Sequence, residues 1–204
     1  MTDFQEQKWI QAARKGDPDA FAELVRLYEK KVFALTTRLC GNPDDAAEAA
    51  QEAFLSVWQG LPSFRGDAAF STWLYRLTHN ACTDLLRREG RHRAAAGPSF
   101  NDEEATVSVP DPTPSPQERV EEKELRRQLE EGLATLSPEY RAVLVLRELH
   151  QQSYDEIARI LSLDLGTVKS RISRGRRQLR NFLLKSGNFS AAPPSKEAGK
   201  EGCK

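Results

Sequence analysis

Cysteines, long apolar runs and targeting signals are scarce in this sequence of 204 residues. Its three cysteines, Cys40, Cys82 and Cys203, have no paired spacing, which argues against a disulfide framework and a zinc site. We expect Cys40 and Cys82 to be buried thiols because both lie in apolar-periodic stretches. The polar N-terminus has no signal-peptide pattern, and no apolar run approaches the ~20 residues that cross a bilayer. We therefore expect a cytoplasmic protein without membrane insertion.

Motifs that carry catalysis are also missing. The three histidines, His79, His92 and His150, have no ligand spacing to cysteine or carboxylate. There is no H-x-E with a C-x-x-C, no glycine-rich phosphate loop and no nucleophile that a motif places beside a base. The sequence therefore disfavours an enzyme such as a nuclease or a deaminase, and it predicts no cofactor, no metal and no small-molecule substrate.

The net charge of zero hides strong local concentrations of charge. Residues 166–185 hold seven basic side chains and no acid, whereas residues 96–117 hold four acids and no base. Arginines also cluster at 87, 88, 91 and 93. Such local basic concentrations, rather than the total charge, set the affinity for nucleic acid.

The segment around residues 94–117 separates two helical regions. It contains five prolines and few large apolar groups, a composition that cannot bury a core. We predict a domain over 1–95, a flexible acidic linker over 96–117, a second domain over 118–185 and a disordered tail over 186–204. No stretch alternates with period two for long enough to indicate a sheet, so we expect an all-α fold of two small domains.

Helix boundaries in the first domain are marked by turn and capping residues. Asp17-Pro18 is typical of a helix start, and Gly41-Asn42-Pro43 of a helix end followed by a new start. Leu61-Pro62 closes the next helix. A further helix begins at Asp67 or Ser71 and runs to about Arg88.

The stretch from 153 to 180 has the layout of a helix-turn-helix. Ser153 and Glu156 form a capping-box pattern that opens a short helix, and a turn at 163–165 leads into a basic helix. Val168, Ile172, Gly175 and Leu179 share one face of that helix, so basic and hydroxyl side chains occupy the other. Such a helix fits the major groove of DNA. The candidate contacts to DNA are Thr167, Lys169, Ser170, Arg171, Ser173, Arg174, Arg176 and Arg177.

The helix over 70–88 places aromatic, cationic and amide groups together. Trp73 and Tyr75 border a face with Arg76 and Asn80. Bases can stack on such rings while basic groups follow the backbone, as in single-stranded DNA binding. Taken alone, the residues favour the alternative, in which these two aromatics are ordinary core residues.

Residues 45–88 and 136–180 together resemble the extracytoplasmic-function (ECF) sigma factors, the small members of the sigma-70 family. Several motifs agree at once, in the family's order and separation. The resemblance implies a region two over roughly 20–90, which melts and reads the minus-ten element, and a region four over roughly 120–183, which reads the minus-thirty-five element. It implies RNA polymerase core and promoter DNA, duplex and melted, as partners.

Individual residues also match the family's pattern. Phe64, Arg65 and Gly66 match the loop that holds a flipped base. The DNA-facing helix is matched by Trp73, Arg76, Asn80, Thr83 and Arg87. The helix over 43–59 matches the polymerase-docking helix, whose outer side here carries Glu48, Gln51, Glu52 and Leu55. The linker acids Asp102, Glu103, Glu104 and Asp111 match a segment that occupies the RNA exit path in relatives.

Larger relatives carry adjacent tryptophans where this chain has Arg76-Leu77, which implies weaker general melting and stricter promoter choice. The resemblance further implies a stress or envelope-response regulon and control by an anti-sigma factor that could hold the chain at the inner membrane. The alternative function is a dimeric helix-turn-helix repressor that does not bind core polymerase.

Overall fold

The computed structural model describes residues 3–96 and 116–186, which form two groups of helices. The N-terminal group contains α1 (Asp3–Ala13), α2 (Pro18–Cys40), α3 (Pro43–Gly60) and α4 (Phe70–Ala96), with a 3-10 turn at Leu61–Ser63. The C-terminal group contains α5 (Pro116–Ala134), α6 (Pro138–Leu144), a π-helical turn (Val145–Leu149), α7 (Tyr154–Leu161) and α8 (Leu165–Lys185). Neither described range contains a strand, so the expected all-α fold is confirmed.

The predicted helix boundaries around α2 and α3 are present in the structure. The Asp17 side chain accepts hydrogen bonds from the backbone N–H groups of Asp19 (3.0 Å) and Ala20 (3.1 Å), two donors that the helix itself leaves unpaired. Gly41 ends α2 with a φ of +84°, a conformation that glycine adopts without strain. Asn42 then caps α3.

Two boundaries differ from the expectation. Helix α4 begins at Phe70 and continues to Ala96, beyond the predicted end at Arg88, because one glycine at 90 does not stop a helix. Helix α5 begins at Pro116, slightly before the predicted start of the second domain at 118. In addition, α6 is followed directly by the π-helical turn, which side-chain periodicity does not reveal.

Small residues determine how closely α3 packs. Ala46, Ala49, Ala53 and Val57 are buried, and their short side chains let α3 lie close to α2 and α4. Larger residues fill the space between the other helices, among them the fully buried Leu24, Val32 and Leu74. Each such leucine contributes roughly 1.5–3 kcal/mol relative to an exposed one.

The two helical groups share one apolar cluster. Leu39, Tyr75 and Leu85 of the N-terminal group belong to the same buried cluster as Leu136 and Ile157 of the C-terminal group. The Tyr75 ring is fully buried, whereas the sequence places it at the border of an exposed face. The other group covers it, which analysis of one helix cannot show.

Two specific contacts accompany this shared cluster. The Tyr75 and His150 rings meet edge to face, with centroids 5.0 Å apart. An Arg38 guanidinium nitrogen donates to a Glu130 carboxylate oxygen at 2.8 Å. The helices of the two groups are therefore held in direct contact.

Some sequence predictions lie outside the described residues. They include the linker acids Asp102, Glu103, Glu104 and Asp111, together with the tail that carries Cys203. Within 3–96 and 116–186, no helix combines the length and apolar character needed to span a membrane.

Candidate nucleic-acid and polymerase interface

The start of α8 is fixed by Asp164. Its carboxylate accepts hydrogen bonds from the Thr167 backbone N–H at 2.8 Å and from the Thr167 hydroxyl at 2.5 Å. These bonds hold the pKa of Asp164 below its ordinary value because they favour the charged carboxylate. Both the backbone N–H and the hydroxyl of Thr167 are therefore engaged by the N-cap residue Asp164, and these bonds orient the first turn of the helix.

The exposed face of α8 collects most of the predicted DNA contacts. Val168, Ile172 and Gly175 are buried on the opposite side, as the periodicity predicts. Close packing explains the glycine, since a Cβ at 175 would lie 3.1 Å from a Leu144 methyl carbon. The face turned to solvent contains Lys169, Ser170, Ser173, Arg174 and Arg177.

Two arginines of α8 have acidic partners within the protein. Arg171 is partly buried and pairs with Glu139 at 2.8 Å, which ties α8 to α6. Arg176 donates twice to Glu148, at 2.9 and 2.7 Å, and this pairing raises the pKa of Arg176. The two ion pairs therefore hold α8 against α6 and against the π-helical turn that follows α6.

The supporting helix α7 has the predicted capping box. The Ser153 hydroxyl accepts from the Glu156 N–H at 3.2 Å, and a Glu156 carboxylate oxygen accepts from the Ser153 N–H at 2.7 Å. Ile157 and Ile160 are buried, and Ala158 and Leu161 pack against the same cluster. Ser162, at φ +53°, ends the helix and turns the chain into α8.

The predicted DNA-facing residues of α4 lie along one side of the helix. Arg76, Asn80 and Arg87 are exposed, and Trp73 and Thr83 are partly buried. The Thr83 hydroxyl donates a hydrogen bond to the His79 carbonyl at 2.8 Å. The lone pairs of the Thr83 oxygen therefore remain available to accept a hydrogen bond. The polar groups of Arg76, Asn80 and Arg87 are thus open to solvent on the side of α4 that also carries the partly buried Trp73.

The segment preceding α4 packs its aromatic residue inward and leaves its polar part exposed. The Phe64 ring lies 4.9 Å from the Trp73 ring and 5.8 Å from the Phe70 ring, centroid to centroid. Arg65 and Gly66 are exposed, and Gly66 has a φ of +81°. The exposed turn with its cation therefore follows directly after a partly buried ring that packs against Trp73 and Phe70.

The outer face of α3 is exposed at all four predicted docking positions, Glu48, Gln51, Glu52 and Leu55. Glu48 forms an ion pair with Arg88 of α4. An almost wholly apolar groove of about 390 Å³ runs beside this face. It is lined by Pro18, Phe21, Gln51, Phe54, Leu55 and Trp58.

The aromatic part of this groove is not evident from the sequence. Phe21 and Trp58 come from different helices, α2 and α3, and their rings meet at 4.9 Å. Phe21 fits the apolar repeat of α2, so its spacing gives no sign of partial exposure. Leu55, at 46% exposure, is the accessible edge of the groove.

His79 and His150 are both partly buried. Burial lowers the pKa of His79, and burial with the nearby charges of Arg38 and Lys31 lowers the pKa of His150 to about 4. In the ranges that the structure describes, no three His, Cys, Asp or Glu residues are grouped so as to hold a metal ion. Both imidazoles are therefore neutral at pH 7.

Comparisons with known proteins match both helical groups. The Sigma-70 region 2 family profile matches residues 24–92, and the Sigma-70 region 4 profile matches residues 126–179. A co-crystal structure of the sigma factor RpoE from Bartonella quintana, in complex with the anti-sigma factor NepR, has the same fold. Its TM-score is 0.67 at 23% identity, with 80% of this chain and 96% of that chain covered.

Two curated relatives have higher sequence identity. The chain is 39% identical over 169 residues to the ECF RNA polymerase sigma factor SigE of Mycolicibacterium smegmatis, with 83% of this chain and 63% of that protein covered. It is 35% identical over 179 residues to the ECF RNA polymerase sigma factor SigW of Bacillus subtilis, with 87% of this chain and 96% of that protein covered. The chain belongs to the extracytoplasmic-function sigma factors of RNA polymerase.

Proposed function

We propose that this chain binds RNA polymerase core and directs it to start transcription at specific promoters. The observation that carries the proposal is the presence, in one chain, of an exposed basic face on α8 and an exposed polar face on α4 beside Trp73. The first suits paired DNA and the second suits parted strands. Membership of the sigma-factor family supplies the common partner, the polymerase.

In the proposed complex, α8 reads the minus-thirty-five element as duplex. Arg174 has no protein partner among the described residues, so its guanidinium is available for a guanine in the major groove. Lys169, Ser170, Ser173 and Arg177 share its face and supply backbone and base-edge contacts. We assign Arg171, Thr167 and Arg176 to positioning the helix, since each is engaged within the protein.

We assign recognition of the minus-ten element to α4 and the turn before it. Asn80, Arg76 and Arg87 are exposed along α4 and can contact parted strands, with Thr83 beside them. We propose that an unstacked base is held at the exposed turn of Arg65 and Gly66, next to the Phe64 and Trp73 rings, which pack together at 4.9 Å. Extruding a base costs a few kcal/mol, which stacking on such rings partly offsets.

Docking on polymerase core is assigned to the outer face of α3 and its groove. Glu48, Gln51 and Glu52 present acids and an amide to a basic helix, and Leu55 offers an apolar edge. An apolar side chain of the partner would enter the groove beside the paired Phe21 and Trp58 rings. Such pockets supply most of the energy in interfaces of this kind.

A matched pair of variants tests the docking surface. Leu55→Asp should weaken co-elution with core polymerase at least tenfold, because it puts a charge at the edge of an apolar groove. Leu149→Asp is the control, since Leu149 is 49% exposed and lies outside the groove. Equal core affinity of both variants and the parent would contradict this assignment of the docking surface.

We propose that the two helical groups, which pack together in the structure, separate when the chain binds a promoter. Elements about 25 base pairs apart are separated by ~85 Å at 3.4 Å per base pair. Helices α4 and α8, which are assigned to these two elements, cannot span this distance while the Tyr75 and His150 rings are in contact at 5.0 Å. Separation of the two groups is therefore part of the proposed function.

Control by an anti-sigma factor is a further part of the proposal. The groove at Leu55 is open in the free chain, so an inhibitory protein could cover it and exclude core. Isolation of the native protein from cells should then yield a stable complex with a second protein. A chain that is always free or on polymerase would contradict this part.

The remaining assignments follow from this function. Because the proposed partners, RNA polymerase and chromosomal DNA, are in the cytoplasm, we propose that the chain acts there. We propose no catalytic role for it. The competing function, a dimeric repressor, requires self-association instead of core binding. A one-to-one complex with core in size-exclusion chromatography supports the sigma-factor function, whereas a dimer that ignores core supports the repressor.

A further inference from the structure

Glu48 and Arg88 connect the proposed docking face of α3 to the C-terminal part of α4. An Arg88 guanidinium nitrogen donates a hydrogen bond to a Glu48 carboxylate oxygen, so the two charges form an ion pair between the helices. The Arg88 and Glu48 side chains are 48% and 56% exposed. The pair therefore lies at the surface, with one partner on the helix assigned to the polymerase and the other on the helix assigned to the minus-ten element.

Arg88 belongs to a basic cluster on α4 that also contains Arg87 and Arg91, and all three side chains are exposed. Residues three and four positions apart are neighbours on a helix surface, so Arg91 lies beside both of the other arginines. Arg87, which is assigned to the minus-ten strand, pairs only with Asp84 of its own helix, at 3.6 Å. A strand that follows Arg87 and Arg91 would pass within reach of the long Arg88 side chain.

The charge of Arg88 is opposed by acids in the free chain. The hydrogen bond to Glu48 is the main cause of a raised Arg88 pKa, and the charges of Glu89 and Asp45 add to it. A guanidinium that is paired with a carboxylate attracts a phosphate less strongly than an unpaired one, because the two opposite charges largely cancel at a distance. Exposed ion pairs are nevertheless weak, so a competing charge can replace either partner.

We propose that Arg88 is a further contact to a backbone phosphate of the minus-ten strand, and that Glu48 keeps Arg88 paired until Glu48 itself binds a basic group of the polymerase. This role of Arg88 rests on the proposed function, since it takes α3 as the docking surface and α4 as the strand-binding helix. When a cation of the polymerase pairs with Glu48, the Arg88 guanidinium loses its acid and becomes available to the phosphate. Core binding and DNA binding then strengthen each other by the same factor, because coupling between two sites is reciprocal.

Two variants of nearly identical shape test the effect of Glu48 in the free, full-length chain. Glu48→Gln and Glu52→Gln each remove one negative charge from the exposed face of α3, but Glu52 has no ion-pair partner among the described residues. The probe is a short fluorescein-labelled oligothymidylate, and its binding is followed by fluorescence anisotropy at several salt concentrations.

Glu48→Gln should raise the affinity for the oligothymidylate several-fold. It should also steepen the slope of log affinity against log salt by about 0.7, the value for one more neutralised phosphate on a single strand. Glu52→Gln should leave this slope unchanged. The double variant Glu48→Gln with Arg88→Gln should bind like Arg88→Gln alone, because the gain depends on the released guanidinium.

A second measurement compares Arg88→Gln with and without polymerase core. In the free chain the substitution should leave the salt slope unchanged, because Arg88 is already paired. In the reconstituted holoenzyme it should reduce the slope by about 0.7 relative to the parent holoenzyme. Arg26→Gln is the control, since Arg26 forms an exposed ion pair with Glu23 on α2 and belongs to neither proposed surface. It should change the slope in neither state.

The proposed role of Arg88 is overturned if Glu48→Gln and Glu52→Gln change the salt slope alike, or if Arg88→Gln has the same effect with and without core. Failure of the proposed function gives a different result, because the parent chain would then not co-elute with core. The comparison of Glu48→Gln with Glu52→Gln in the free chain does not depend on that result.

Discussion

Replacement of Arg174 by alanine should weaken DNA recognition while leaving the stability of the protein almost unchanged. Arg174 is exposed on α8 and has no protein partner in the described part of the chain, so its loss should change the free energy of unfolding by no more than about 0.5 kcal/mol. A bidentate contact to guanine is worth roughly 1–3 kcal/mol, which corresponds to about a 5- to 150-fold loss of promoter affinity.

Arg176→Ala is the matched control on the same helix. Arg176 pairs with Glu148 at 2.7 Å, and the two side chains are 52% and 49% exposed, so the pair contributes only ~0.2–1 kcal/mol to stability. Its removal should weaken promoter binding evenly across sequences rather than at one base pair.

The assay uses polymerase core reconstituted with each variant on a promoter found by run-off transcription of genomic fragments. Affinity is measured on that promoter and on a copy with a scrambled minus-thirty-five element. The parent should distinguish the two templates, and Arg174→Ala should lose most of that distinction. The reasoning is refuted if Arg174→Ala retains the parent's preference, or if both arginine variants behave alike.

Three further predictions concern the core, the partly buried His150 and the minus-ten face. Leu144→Ala removes a side chain that is 2% exposed and packs on Gly175, so denaturant unfolding should show a loss of about 2–5 kcal/mol; a loss below about 0.5 kcal/mol would contradict the described packing. Because the folded-state pKa of His150 is lowered to about 4, the unfolded chain binds the proton first, and the free energy of unfolding should fall as the pH drops from about 6.5 to about 4. His150→Gln should lessen that slope in denaturant titrations at several pH values, and an unchanged slope would count against the burial of the imidazole. Asn80→Ala should slow open-complex formation on duplex promoter without lowering the melting temperature, and parent-level opening would remove Asn80 from the minus-ten assignment.

Local sequence signals predicted the elements that local physics determines. Asp17, Gly41 and Ser153 mark helix ends because each satisfies backbone groups within its own turn. The buried face of α8 followed from spacing alone, since Val168 and Ile172 repeat with the helical period. Such features depend on a few neighbouring residues and therefore appear in the sequence.

Contacts between distant segments could not be predicted in the same way. Tyr75 is buried because it packs against His150 of the other helical group. The groove at Trp58 likewise needs Phe21 from another helix. Periodicity identifies which face of a helix is apolar, but it does not identify the partner that covers that face.

The central claim is that this chain gives core polymerase the ability to choose a start site. Run-off transcription with purified core, the full-length chain and a library of genomic fragments tests it most directly. We predict discrete transcripts from a small set of fragments, each dependent on the chain and absent with core alone. Transcripts that are the same with and without the chain, on every fragment, would contradict the claim.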